Sequence, residues 1–436
     1  MSALNRRQFL TSTLAGLASA GALAACAGRG NPASSAGEST TAGATTAGAT
    51  KPSNAPTPKG TPTAAAREKR RLVIIEMSGG NDGLSTLVPY GMTGYHEARS
   101  HTAIDPKDVL SLNDQVGLHK NLKQLQTRGL AVVQGIGTPN PDGSHFAMMD
   151  RWWKGDMRGN ANYPTGFLGR LADVIGDPTA RAVALSIGSG SHPALMSRKA
   201  PTLSIPRADI AAALVGAKPD DVARYAFQQA LAEMAAETAS DTAGLTMARR
   251  SNRDAVRFAT TLNDLPEDKA DSYPGGNLSD GLRLAARLLA ADPAIRIVHV
   301  PMNADFDTHT DNNGRHPELM NNLSTSLDAF LADLERRGIA DQVLVATTSE
   351  FGRTVRDNNS NGLDHGTASC ALLLGPVIPG LHGEHPSLTK LDDDNQLIAT
   401  LGFEQYYATL AETWLGIPSS EVLPSGAKPI DGLIRV

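Results

Sequence analysis

The feature of this chain that most restricts its fold is a series of short, uninterrupted apolar runs, at 72–77, 130–134, 182–187, 295–301, 342–347 and 368–374. Each is as long as a strand and lacks the alternation of a strand with one wet face, so both of its faces must be covered. Helix-length segments separate them. The clearest, 319–337, sets Leu323, Leu327, Phe330, Leu331 and Leu334 at three- and four-residue steps and ends at Gly338, just past Arg336-Arg337. A second, 282–290, leads through Asp292-Pro293 into the run at 295. This rhythm predicts an α/β fold, a doubly wound and mostly parallel sheet flanked by helices. Between 207 and 265 the pattern turns helical and Ala-rich, which reads as an inserted helical subdomain.

The first residues carry an address. Arg6-Arg7 followed by Phe9-Leu10 reads as a twin-arginine export signal, and a run of Ala, Gly and Leu closes on Leu23-Ala24-Ala25-Cys26 like a lipobox. In that reading cleavage precedes Cys26, whose thiol takes the lipid. The apolar run is shorter than the roughly 20 residues that span hydrocarbon. Residues 27–68 are dominated by Ala, Gly, Ser, Thr and Pro, a composition that buries too little apolar surface to fold and suits a tether. The expected map is therefore signal 1–26, tether 27–68 and an α/β domain over 69–436 with its helical insertion at 207–265. The expected partners are the twin-arginine translocase and lipoprotein-processing enzymes. The expected location is outside the cytoplasm, lipid-anchored to the outer face of the cytoplasmic membrane or in the periplasm.

A net charge of −5 with interspersed signs offers no basic field for nucleic acid. Of the two cysteines, Cys26 is claimed by lipid and Cys370 lies in an apolar run, so no internal disulfide is expected.

In a doubly wound sheet, ligands gather beyond the carboxyl ends of the strands. There this sequence places Ser78-Gly79-Gly80-Asn81-Asp82-Gly83, then Asp142-Gly143-Ser144-His145-Phe146, then Asp305-Phe306-Asp307-Thr308-His309. Ser349-Glu350-Phe351-Gly352-Arg353 and Asp364-His365-Gly366 follow. Each has a structural alternative. Asn81-Asp82-Gly83 is ordinary turn chemistry, Ser144 is a preferred helix N-cap, and Glu350 with Arg353 makes a plain ion pair. Their shared position after strands favours a functional cleft.

The strings SGGNDGLSTLVP, GSHFAMMDRWWKG, FDTHTDN, SEFGRT and LDHGTA, in this order after the export signal, resemble the exported proteins grouped as domain-of-unknown-function family 1501. The resemblance spans roughly 70–436. That family is similar to the alkaline phosphatase and sulfatase superfamily, which implies a doubly wound core, an attacking hydroxyl and, usually, two metal ions. Carried over position by position, the resemblance implies Ser144 as nucleophile and Arg353 as the group steadying the anion. It implies Asp82 (or Glu76), Asp307 (or Asp305), His309, Glu350, Asp364 and His365 around a divalent metal, Zn, Mg, Mn or Ca. One departure weighs against two metals: Phe351 stands where the superfamily has a ligand histidine. The sulfatase branch matures a Cys or Ser in a Cys/Ser-x-Pro-x-Arg motif, and neither Cys26, Cys370 nor Ser144 has that context. Two readings follow, a metal-dependent hydrolase of phosphate or other anionic esters at the cell surface, and a non-catalytic relative that binds a surface polymer, metal or protein partner.

Overall fold

The computed structural model describes residues 67–435 apart from 160–162, 178–179, 189–190, 206–219, 303 and scattered positions between 237 and 271. The export signal, including Arg6, Arg7 and Cys26, and nearly all of the tether lie outside the described residues. The strands, in chain order, are β1 (Arg71–Glu76), β2 (Leu87–Val88), β3 (Val109–Ser111), β4 (Gly117–His119), β5 (Ala131–Gly137) and β6 (Ala184–Ile187). They continue with β7 (Thr202–Ile205), β8 (Ile297–Pro301), β9 (Val343–Thr348), β10 (Ser369–Leu374), β11 (Gly380–His382) and β12 (Leu401–Gly402). The longer helices are α1 (His145–Lys154), α2 (Phe167–Ile175), α3 (Val222–Ala235), α4 (Asn277–Ala291) and α5 (Asn312–Arg336).

All six expected strands are present. They join one sheet in the order β11-β5-β10-β9-β1-β8-β6-β7, with β12 also paired to β5. Within it β10 alone runs antiparallel to its neighbours, β5 and β9. The mostly parallel α/β class is thus the fold of this chain. The strands β2, β3 and β4 form a separate small antiparallel sheet.

The uninterrupted apolar runs are explained by two cores. Along β1 the pleat sends Val73 and Ile75 to one face, with Leu282 and Leu289 of α4 and Leu327, Phe330 and Leu334 of α5. Leu72 and Ile74 go to the other, with Met148 and Trp152 of α1 and Phe167 and Leu171 of α2. A strand buried on both sides favours apolar residues at successive positions, hence no alternation. The helix expected from 319 begins instead at Asn312 and passes through Pro317. Its first turns hide from an apolar-periodicity search because they bury Asn312 and His316. Of the segment 207–265, α3 is helical, Phe258 and Leu262 belong to the α4–α5 core, and much of the remainder lies outside the described residues.

This topology sends the exits of β1, β5, β6, β8 and β9 to one sheet edge. Because β10 is reversed, the residues just before it, Asp364 to Ala368, reach the same edge.

Candidate metal centre

Three backbone devices bring the loops together. After β1 the chain turns through Gly79 and Gly80 at φ +109° and +77°. A Cβ on Gly79 would stand 2.6 Å from the backbone nitrogen of Asp307, so glycine lets the β1 and β8 loops touch. The SEFGR and DHG segments pair with each other: Gly352 donates to Thr367 and Gly366 to Gly352, each at 2.9 Å, with Arg353 opposite His365. After β5 the Ser144 side chain caps α1 by accepting from the Ala147 N–H at 3.5 Å, which makes His145 the first helical residue.

On these supports three imidazoles and a carboxylate converge. The Nε2 atom of His365 lies 3.0 Å from Nε2 of His145 and 2.9 Å from Nε2 of His309. Oδ1 of Asp307 lies 3.0 Å from His309 Nε2, 3.3 Å from His365 Nε2 and 3.6 Å from His145 Nε2. His145, Asp307 and His365 each offer a ligand atom within 4.8 Å of the others.

The outer nitrogens decide what these inner ones carry. His365 Nδ1 lies 2.7 Å from the carbonyl oxygen of Gly143, which can only accept. His145 Nδ1 lies 2.7 Å from Glu350 Oε1, and His309 Nδ1 2.9 Å from Asp364 Oδ1. Each acceptor requires the proton on Nδ1, so each neutral ring turns a bare Nε2 lone pair inward. Lone pairs held about 3 Å apart beside a carboxylate oxygen repel one another unless positive charge, a metal ion or a second ring proton, lies between them. The hydrogen bond to Glu350 raises the pKa of His145. Asp307 is held below the usual carboxylate range: burial opposes this, and the hydrogen bond and charge of Arg353 outweigh it.

The structure corrects several expected roles. Arg353 does not face an anion. Its side chain is fully buried, and its donors go to the carbonyls of Gly79, Gly80 (2.9 Å), Phe306 (3.3 Å) and Leu363 (3.2 Å) and to the Asp307 carboxylate. It clamps three loops together. Asp82 is not at the cluster either: buried, it pairs with Arg99 through contacts of 2.6 and 2.9 Å, and Arg99 helps hold its pKa at about 2 against the opposing effect of burial. Asp305 is exposed and bound to Arg315 at 2.9 Å. Glu350 and Asp364 stand behind His145 and His309 rather than inside the ring of ligand atoms. The ring of Phe351 lies 4.7 Å from that of His145 and 5.0 Å from that of His365, packing against the imidazoles. The converged set is therefore rich in nitrogen, where a set rich in oxygen was expected. Ser144 is exposed at the rim, between Gly143 and His145, with its hydroxyl turned to its own helix.

Sequence reasoning passed over His145, although it adjoins Ser144 at the start of a helix that follows a strand. It also passed over a second cluster. Glu76, at the end of β1, lies with Oε2 3.3 Å from His299 Nε2 and 3.4 Å from His192 Nε2, and the Trp153 indole N–H donates to the same oxygen at 2.8 Å. Ser78 donates to Oε1 at 3.0 Å. Burial opposes ionisation of Glu76, yet the imidazole hydrogen bonds take its pKa well below the usual value, and burial lowers that of His299. Among the described residues, no helix is long and apolar enough to cross a membrane.

Several solved structures are similar to this chain. The lipoteichoic acid synthase LtaP from Listeria monocytogenes shares 11% identity over 85% of this chain and 77% of its own, with a TM-score of 0.39. The PsFucS1 sulfatase from Pseudoalteromonas sp. shares 11% over 84% and 74%, at a TM-score of 0.37. The alkaline phosphatase from the Antarctic bacterium TAB5 shares 13% over 71% and 92%, at 0.31. No curated protein matches the sequence. The profile of one family matches residues 69–399, the greater part of the chain and every loop named at this edge, and the chain accordingly belongs to the family described as "Protein of unknown function (DUF1501)".

Proposed function

We propose that this chain is a metal-dependent hydrolase of phosphate or other anionic esters, exported by the twin-arginine route and anchored through lipid on Cys26. The observation that carries the metal is the tautomer lock: three acceptors fix protons on the outer nitrogens and leave three inner lone pairs beside Asp307. Ligand atoms of a tetrahedral zinc site stand roughly 3.3 Å apart, and among His145, Asp307 and His365 the separations are 3.0, 3.3 and 3.6 Å. His145, Asp307 and His365 would hold the ion, with His309 as fourth donor. A set rich in imidazole suits zinc better than magnesium, manganese or calcium. When bound, the cation would serve as a Lewis acid toward an ester oxygen. The ester class rests on the similarity of this family to the alkaline phosphatase and sulfatase superfamily. Ser144 would attack only after its hydroxyl leaves the helix cap.

Elemental analysis of the purified chain should find a divalent transition metal, and a chelator should lower the melting temperature. Absence of both would overturn the metal. Turnover of a generic phosphodiester, lost on chelation and restored by the ion, would establish the hydrolase. Replacing Cys26 with Ala should release the chain from the membrane fraction, and Arg6→Lys with Arg7→Lys should retain it in the cytoplasm.

One observation favours the second reading, a domain that holds the cation and binds a surface polymer or protein without turnover. The Ser144 hydroxyl faces its own helix and Arg353 faces backbone carbonyls, so neither expected reactive group stands free.

A further inference from the structure

The Glu76 cluster is built from the residue types of the first cluster, and its geometry points to protons where the first would hold a cation. We infer that the chain binds one ion rather than two, and that Glu76, His192 and His299 instead fix the indole of Trp153. The count of one rests on the metal reading of the first cluster; the role of the second does not.

His192 decides the matter. Its Nδ1 accepts the backbone N–H of Ala194 at 3.3 Å, and a backbone N–H can only donate. The ring proton therefore sits on Nε2, the nitrogen that faces Glu76. That nitrogen has no lone pair to offer an ion. His299 completes the arrangement, with Nδ1 3.0 Å from the Ser186 hydroxyl and Nε2 toward the same carboxylate. With Ser186 as donor, His299 too presents an N–H. Three donors, from Trp153, His192 and His299, then converge on Glu76 Oε2, and Ser78 donates to Oε1. The oxygen that both imidazoles face has no lone pair left for a metal.

The network has a different product. The Trp153 indole is held by its N–H on Glu76 and by the edge of the His192 ring, whose centroid lies 5.2 Å away. So fixed, Trp153 forms part of a pocket with Met149, Trp152, Ser349 and Glu350, beside the residue that orients His145. The second cluster thus shapes the space next to the cation without taking a cation itself.

The test strips the full chain with chelator and titrates it with Co²⁺ and then Zn²⁺, counting ions by elemental analysis and following the cobalt absorption bands. One ion per chain is expected, unchanged by His192→Ala or His299→Ala and lost with His365→Ala. A second ion of comparable affinity, removed by His299→Ala, would overturn the inference. No ion at all would overturn the metal reading and the count together, leaving the Trp153 measurement to decide the second cluster. For that, Glu76→Gln should raise acrylamide quenching of the Trp153 emission, isolated by comparison with Trp153→Phe. Unchanged quenching would overturn the anchoring role.

Discussion

Two histidine–carboxylate clusters stand on neighbouring loops of one sheet edge, and their outer hydrogen bonds give them opposite characters. Around His145, His309 and His365 the outer partners are acceptors, two carboxylates and a carbonyl, so the protons point outward and the lone pairs inward. Around Glu76 the outer partner of His192 is a backbone N–H, so the proton points inward and is used up on the carboxylate. The comparison teaches that residue types do not distinguish a metal site from a hydrogen-bonded anchor. The partner on the far side of each ring does.

The largest effect that could break this contrast is loss of a ligand. His365→Ala should weaken Zn²⁺ or Co²⁺ binding by at least about 100-fold, beyond the 10- to 100-fold typical of an outer partner, while His299→Ala leaves the affinity unchanged. Equal effects in a titration would erase the distinction. Next, Glu350→Gln should cost roughly 10- to 100-fold in affinity, because a neutral amide oxygen holds the proton on Nδ1 of His145 less strongly than a carboxylate.

Buried imidazoles that belong to neither cluster supply a pH control. His316 is bonded to Asn81, and burial brings its pKa from 6.5 down to about 4; His119 likewise falls to about 3. Below pH 6.5 the unfolded chain takes up these protons and the folded chain does not, so stability falls as pH drops from 6.5 toward 4. The slope is about 1.4 kcal/mol per pH unit for each such group, and urea midpoints at pH 7 and 5 in His316→Asn should show a smaller difference than in the native chain. The smallest effect is expected at the rim. Ser144→Ala removes a long cap bond and should cost about 1 kcal/mol of stability, with metal affinity unaltered. A large loss of affinity would place Ser144 inside the cluster.

The strands were legible because a segment buried on both faces cannot hide its composition, and the loops of the site were legible because their polar residues follow those strands. Less legible was any role that depends on a partner distant in the chain. Asp82 looks like a ligand until Arg99 is seen against it, and Arg353 looks like an anion clamp until the carbonyls of Gly80, Phe306 and Leu363 surround it. His145 looked like the neighbour of a nucleophile, and His299 gave no sign of a role. Their significance lies in what faces them across the sheet edge.

By itself the sequence determined the class of fold, the edge at which chemistry gathers and the stock of histidines and carboxylates available there, because these follow from burial pattern and chain order. Which of those groups meet, and on which ring nitrogen each proton sits, was decided only by the tertiary structure. A tautomer is set by a hydrogen-bond partner, and here every decisive partner comes from another loop or from the backbone.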